Sequence, residues 1–225
     1  MPTVTLDGMN IGVLGTGVVG RSIATRLVEL GHAVALGTRD VTNPAAQQWV
    51  ASVGTARGAR VSTFAEAAAH GALVVNATSG AASIAALKLA GDRNLHGKVL
   101  IDVANPLDFS AGLPPLLSVV NTDSLGEQIQ RSFPDVKVVK TLNTVNVEVM
   151  IHPARLPEEH TMFVAGEDAE AKATAADLLR SFGWRSILDL GGIEAARGME
   201  MYLMLWLSLR AAQGTAAFNL RLVRA

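Results

Sequence analysis

Three observations predict an α/β fold built on a doubly wound, mostly parallel sheet with a small C-terminal helical part. Short apolar runs alternate with helical patterns along most of the chain, the signature of β-α units stacked into a parallel sheet. The first run, Ile11-Gly12-Val13-Leu14, leads into Gly15-Thr16-Gly17-Val18-Val19-Gly20, a G-x-G-x-x-G that opens a helix with Ile23, Ala24, Leu27 and Val28 on one face. After Gly192 the alternation gives way to one long apolar helical pattern, from Ile193 to about Gln213. A glycine-rich turn alone says little, but between a strand and an amphipathic helix it reads as Rossmann-type. Gly15 permits the tight turn, Gly17 lets the backbone touch a pyrophosphate, and Gly20 lets the helix pack close to the strand. The helix start then offers free N–H groups and a positive dipole end to phosphates. An ordinary βα turn without ligand is the alternative.

The second strand, Ala33 to Gly37, ends in Thr38-Arg39-Asp40. A site for NAD wants Asp or Glu about 20 residues beyond the glycines, to bond the ribose 2′-OH. Thr38 and Arg39 stand there instead. A hydroxyl beside a guanidinium suits a 2′-phosphate, so the reading is NADP(H). Asp40 complicates it, and Arg39 as a plain surface arginine is the alternative. Asn43-Pro44 caps and opens the next helix, to about Val53. Val61 lies in a short strand, and Thr63-Phe64-Ala65-Glu66 is a capping box for a helix that Gly71 ends.

Ala72 to Ala77 is a buried strand running into Thr78-Ser79-Gly80. Its carboxyl end faces the crevice of a doubly wound sheet, so Asn76, Ala77, Thr78 and Ser79 are candidate contacts to phosphates and ribose. For Ser79, simple capping of a helix over Ala81 to Leu89 is the alternative. Lys98 to Val103 is the fifth strand, followed by Asn105-Pro106 at another carboxyl end. Asp102, inside that apolar strand, needs a partner, and a structural hydrogen bond is the expected one. Ser110 to Val120 reads as an irregular loop. A helix from about Asp123 to Ser132, a strand over Val136 to Lys140 and the polar turn Thr141-Leu142-Asn143-Thr144 come next. Met162 to Ala165, a helix to Phe182 and a strand over Ser186 to Leu190 complete residues 1–192, read as the NADP-binding domain. Residues 193–225 read as a helical segment forming the acceptor site, a dimer contact, or both. Met199, Tyr202, Leu203, Trp206 and Leu209 make one stripe, and Met201, Met204 and Leu205 make the other side apolar too. Such a helix must be buried from several directions. Met201, Tyr202 or Trp206 also suits the wall of a flat apolar ligand.

Composition limits the function classes. Of 225 residues 49% are hydrophobic and 17% charged, with a net charge of −1. That excludes a disordered chain and gives no reason to expect a nucleic-acid or anionic-membrane partner. With no cysteine, disulfides and thiolate chemistry are excluded. The N-terminus lacks a basic region followed by an apolar core, so no secretory signal is expected. The longest apolar run, Met199 to Leu209, is broken by Glu200 and Ser208 and falls short of the ~20 residues of a membrane span. A cytoplasmic location follows as the expectation. The five histidines make no ligand spacing, so no metal is expected, and there is no G-x-S-x-G elbow for acyl transfer.

The C-terminal helix has no Lys or His, and Lys140 is the one lysine that could serve the crevice as an acid or base. Sparse acid–base machinery suits hydride exchange between two redox cofactors, which the protein stacks and orients. No catalytic residue is assigned.

The chain resembles the NADPH-dependent reductases of the deazaflavin coenzyme F420. The resemblance rests on I-G-V-L-G-T-G-V-V-G at 11–20, L-G-T-R at 36–39, V-V-N-A-T at 74–78, V-V-K-T-L-N-T at 138–144, F-V-A-G-E-D at 163–168 and the apolar helix after L-D-L-G-G at 188–192. It is similar, more distantly, to the NADPH-binding domain of STEAP-type ferric reductases. The resemblance implies a homodimer, NADP in the glycine-loop crevice and a deazaflavin stacked over the nicotinamide near the C-terminal part. By position it implies that Thr16, Thr38 and Arg39 hold the 2′-phosphate and neighbouring groups. Asn76, Ala77 and Thr78 would flank the pyrophosphate and ribose, and Pro106 and Asn143 would lie near the nicotinamide. Two departures stand out. Asp40 occupies a place where further positive charge would help, and the phosphate and glutamates of the F420 tail find no basic cluster, with Arg197, Arg210, Arg221 and Arg224 the only candidates. Two other functions compete: NADPH-dependent reduction of a small imine or carbonyl, supported by Lys140 or the Ser110–Val120 loop, and a non-catalytic NADPH-binding sensor.

Overall fold

The computed structural model describes residues 8–224; the start of the stretch in which no secretory signal is expected lies outside them. In chain order the elements are β1 (Asn10–Leu14), α1 (Val18–Glu29), β2 (Ala33–Thr38), α2 (Pro44–Val53), β3 (Ala59–Thr63), α3 (Phe64–His70), β4 (Leu73–Asn76), α4 (Gly80–Ala90) and α5 (Asp92–Leu95). They continue with β5 (Val99–Asp102), β6 (Leu107–Asp108), β7 (Leu116–Leu117), α6 (Leu125–Ser132), β8 (Lys137–Thr141), α7 (Val147–Ile151), β9 (Thr161–Ala165), α8 (Ala169–Phe182), β10 (Ser186–Asp189) and α9 (Ala196–Gln213).

Eight strands form one sheet in the order β10-β9-β8-β5-β4-β1-β2-β3. Every neighbouring pair is parallel except β8 and β9. The six strands from β3 to β8 have the Rossmann order, and the sequence reverses direction between β1 and β4. That switch point opens a crevice at the carboxyl ends of the strands. The strands read as nearly unbroken apolar runs because helices cover both faces. One face buries Ile11, Val13 and Val75 under α1, α2, α7 and α8, and the other buries Leu14, Val74 and Leu100 under α3, α4 and α6. On that second face α3 lies so close that a Cβ on Gly12 would meet the Ala67 carbonyl oxygen at 2.3 Å.

Local signals start the helices where the sequence places them. Asn43 accepts from the Ala46 N–H at 3.1 Å with Pro44 in the first turn of α2. Thr63 and Glu66 form both halves of the capping box of α3, a device of about 1 kcal/mol. Helix α6 starts two residues later than expected, because Ser124 accepts from the Glu127 N–H and is the cap. The short helices α5 and α7 and the β6–β7 hairpin are not foreseen from the pattern. The hairpin takes up part of the segment read as an irregular loop: Leu107 pairs with Leu117 and Asp108 with Leu116.

The segment after Gly192 packs on α6, with Ile193 and Ala196 buried in the same cluster as Leu125 and Ile129. Helix α9 is also held by polar contacts. Glu200, 1% exposed, accepts the N–H of Leu125 at 2.8 Å and of Gly126 at 3.0 Å, serving the start of α6. Arg197 grips Glu127 through two hydrogen bonds of 2.9 and 2.6 Å. Among the described residues no helix is long and apolar enough to cross a membrane.

Candidate active site

The glycine loop is built by contacts that exclude side chains. Gly15 has a φ of +115° and donates its N–H to Gly37 O at 3.0 Å; a Cβ there would also meet the Ala77 carbonyl oxygen at 2.6 Å. A Cβ on Gly20 would lie 2.0 Å from the Gly15 carbonyl oxygen, so α1 can start this close to β1 only with glycine there. Around Gly17 the space is open, and no side chain caps α1. The first N–H groups of α1 therefore face the crevice with no side-chain cap among the described residues. Arg21 donates from its guanidinium to the Thr16 carbonyl and braces the loop from one turn into the helix. We expect Gly20→Ala to push α1 off the loop, costing roughly 1–3 kcal/mol of stability and at least about tenfold in NADPH affinity, the equivalent of ~1.4 kcal/mol. Thermal unfolding and fluorescence titration read the two effects.

Two cavities meet at this loop. The first, about 390 Å³, is lined by Gly15, Thr16, Gly17, Thr38, Arg39, Ala77, Thr78 and Ser79, together with Asp40, Phe64 and the alanine face of α4 ending at Leu89. The second, about 610 Å³, shares Gly17, Ala77, Thr78 and Ser79 and continues past Val18, Val19 and Asn105 to Leu107, Asp108, Phe109 and Ser118. The arrangement offers one long trough with the loop and the Ala77–Ser79 turn at its middle.

Arg39 is exposed and makes no hydrogen bond or ion pair among the described residues. Thr38 donates its hydroxyl to the Asp40 carbonyl at 3.1 Å. Asp40 lines the same cavity, but its Oδ1 is taken by the Thr42 hydroxyl at 2.6 Å and the Thr42 N–H at 2.9 Å. Those two bonds, the hydroxyl's first, hold its carboxyl below the usual carboxylate range. Asp40 is thus a fixed anion turned onto its own turn. Ser79 stands at the start of α4 with an exposed side chain that makes no capping bond, so its hydroxyl is available to the trough.

Four expected residues line neither cavity: Gly20, Asn76, Pro106 and Asn143. Asn76, fully buried, donates to Asp102 Oδ1 at 2.8 Å and to Ser83 at 3.0 Å, and its oxygen accepts from the Thr78 hydroxyl at 2.7 Å. It braces the Ala77–Ser79 turn from behind. Buried Asn143 donates to Asn105 Oδ1 and to the Met199 carbonyl, each at 3.0 Å, while Asn105 donates back to the Asn143 carbonyl at 2.9 Å. Its own side-chain oxygen is left without a partner among the described residues. The turn that carries it includes buried Leu142 at a φ of +62°, a conformation that costs energy in a non-glycine residue and clusters at functional sites. The Pro106 carbonyl accepts the Ser118 N–H at 2.8 Å and anchors the hairpin.

Lys140 corrects one expectation. It is fully buried, 2.8 Å from Asp102, 2.7 Å from Glu200 and 2.5 Å from the Ala104 carbonyl. It lines neither cavity, so it offers no proton to a substrate in the trough. Burial opposes its charge, but the two carboxylates outweigh burial and raise its pKa. Asp102 has the structural partners its place in a buried strand calls for. Met201, Tyr202 and Trp206 line neither cavity either; Trp206 stacks on Phe218, ring centres 5.5 Å apart.

Several contributors escape a reading of the sequence. Phe64 enters the sequence reading only as part of a capping box, and the fold brings it to the first cavity. The stripe Ala82, Ala85, Ala86 and Leu89 was findable, because small residues at helical spacing leave a flat surface. Phe109 and Ser118 come from the hairpin, which carries no strong local signal.

The family model for coenzyme F420-dependent NADP oxidoreductases matches residues 10–106. A solved structure from Arthrobacter sp. FB24, provisionally assigned as an F420-dependent NADP-reductase, is 53% identical, with a TM-score of 0.92, covering 96% of this chain and 100% of that one. The F420-dependent NADP reductase of Methanothermobacter marburgensis is 28% identical over 211 residues, 89% of this chain and 92% of its own length. Rat metalloreductase STEAP3 is 28% identical over 197 residues; the match takes in 88% of this chain but only 37% of STEAP3.

Proposed function

This chain belongs to the family of coenzyme F420-dependent NADP oxidoreductases and is an NADP-dependent oxidoreductase; from that premise we propose that it exchanges hydride between NADPH and coenzyme F420 or a similar planar acceptor. The observation that carries the reading is the divided trough: one cavity with a guanidinium unpaired among the described residues, a second walled by apolar groups, and a phosphate-suited loop between them. When bound, NADPH would supply a hydride and the deazaflavin would take it at a ring carbon, with a proton from solvent completing the reduction at a ring nitrogen.

The residues present fit the nucleotide. Gly17 leaves open space where a pyrophosphate needs room, and the start of α1 aims N–H groups there. Thr16, Thr38 and Arg39 are our assignment for the 2′-phosphate, with Phe64 and the α4 alanines as the adenine wall. Val18, Val19, Ala77, Thr78 and Ser79 would hold the diphosphate and ribose, with Gly15 and Gly20 shaping the loop and Asn76 bracing the turn. Asn105, Pro106 and Asn143 would shape the nicotinamide end. There the unpartnered oxygen of Asn143 is a buried acceptor that calls for a donor. We divide the chain into a cofactor-binding part, 1–192, and a segment, 193–225, that backs the nicotinamide end through Met199 and meets a second copy of the chain. The protein's share of catalysis is then positioning and exclusion of water, because a hydride moves directly between two held rings.

Stopped-flow absorbance with NADPH and oxidised F420, beside FMN, FAD and a panel of small imines, tests the reading. Fast NADPH oxidation with F420 and slow reaction with the others is the expected result. Tight NADPH binding with no oxidation by F420 would shift the acceptor to another compound; the burial of Lys140 removes one support for an imine or carbonyl.

A further inference from the structure

The two cavities differ in charge. The first contains Arg39 beside the anion Asp40, a balanced pair, while in the second the only ionisable lining residue among the described residues is Asp108, with no cation beside it. Asp108 Oδ1 accepts the Ser110 N–H at 2.8 Å. Ser110, through that N–H first and then its hydroxyl, keeps the carboxyl below the usual carboxylate range, so it is an anion at neutral pH. The large groups of this cavity are Val18, Leu107 and Phe109; Val18 is 62% and Phe109 59% exposed, so apolar surface stands ready for a flat ring. Arg221 and Arg224 line neither cavity, and three further arginines are engaged in other contacts. Arg21 donates to the Thr16 carbonyl, Arg197 is held by Glu127 at 2.6 Å, and Arg210 lies 5.9 Å from the centre of the Trp206 ring.

We infer that the second cavity selects an uncharged planar ring and disfavours acceptors with an anionic tail, and that Asp108 sets this preference. The inference rests on the reading above only in taking this cavity for the acceptor side. A seated NADPH strengthens it, because the diphosphate would lie on the shared Ala77–Ser79 turn and add negative charge beside Asp108. A phosphate-bearing tail then meets charge of its own sign with no cation of this cavity to offset it, whereas ring burial is rewarded on the apolar wall.

The test compares acceptors in pairs that differ only in the tail: F420 against its tail-less, riboflavin-level counterpart by NADPH oxidation, and FMN against riboflavin by fluorescence quenching with NADP⁺ present. The neutral member of each pair is expected to be favoured by about three- to tenfold in kcat/KM or Kd, with the gap closing at high salt and in Asp108→Asn, which keeps an oxygen for the Ser110 N–H. Preference for the charged member, a gap indifferent to both salt and Asp108→Asn, or binding of neither flavin would overturn the inference. Absence of NADPH oxidation by either deazaflavin would instead overturn the proposed hydride acceptor, and the riboflavin–FMN pair would still report the charge preference.

Discussion

Arg39→Glu is expected to weaken NADPH binding by about 100-fold, the equivalent of ~2.7 kcal/mol, while NADH changes by less than about threefold. The wild-type guanidinium has no partner among the described residues, so no internal contact is lost and the effect falls on the ligand. A charge-assisted bond to phosphate is worth about 1.5–3 kcal/mol, and the introduced carboxylate adds repulsion. Asp40 sharpens the outcome. It is already an anion on the rim of that cavity, fixed on Thr42, and Arg39 is the charge that balances it. Titrating both nucleotides against the variant settles the matter. Equal losses for NADPH and NADH, or no loss, would remove Arg39 from the 2′-phosphate site.

Lys140→Met is expected to destabilise the fold by about 3–5 kcal/mol, because it strands two buried carboxylates. For a chain of this size that is a fall in Tm of roughly 6–20 °C. Asp102 retains Asn76, and Glu200 retains the Leu125 and Gly126 N–H groups, but neither keeps a cation within reach. Combining Lys140→Met with Asp102→Asn and Glu200→Gln is expected to restore part of the stability, since the charges leave together. The pKa of Lys140 is raised in the folded state, so its contribution is complete below the ordinary lysine value of ~10.4 and fades only as pH rises through the raised one. Stability from this group should stay level between about pH 6 and 9. Urea unfolding of the variants checks both points, and a loss under about 1 kcal/mol for Lys140→Met would contradict the reading.

The legible parts were those encoded over a few residues. The glycine loop, the capping box at Thr63 and the strand ends at Arg39, Ala77 and Asn105 each declare themselves locally, and the alternation of strands with helices declares a mostly parallel, doubly wound sheet. Partnerships across long sequence gaps were not legible. Asn76 reads as a site residue by position, yet its side chain turns inward because Asp102, buried on the next strand, must be satisfied. Lys140 reads as a possible acid or base until Glu200 arrives from α9 and encloses it. The orientation of Asp40 depends on the hydroxyl of Thr42, two residues on, which a motif written in residue types does not encode. Whether an apolar helix such as α9 walls a ligand or a core depends on where the chain carries it, and periodicity is silent on that.

Glu200 has a consequence for the order in which the chain is made. The ribosome delivers Lys140 and the start of α6 well before Glu200, a delay of about 3–15 seconds at ~5–20 residues per second. Through that interval the nascent Rossmann core has a lysine short of its second carboxylate and a helix whose Leu125 and Gly126 N–H groups have yet to meet the Glu200 carboxylate. The β-α units already out cannot cover α6 until α9 is released to them. Chains stalled between these two points would present an open seam along α6, a natural place for a chaperone to hold or a protease to cut.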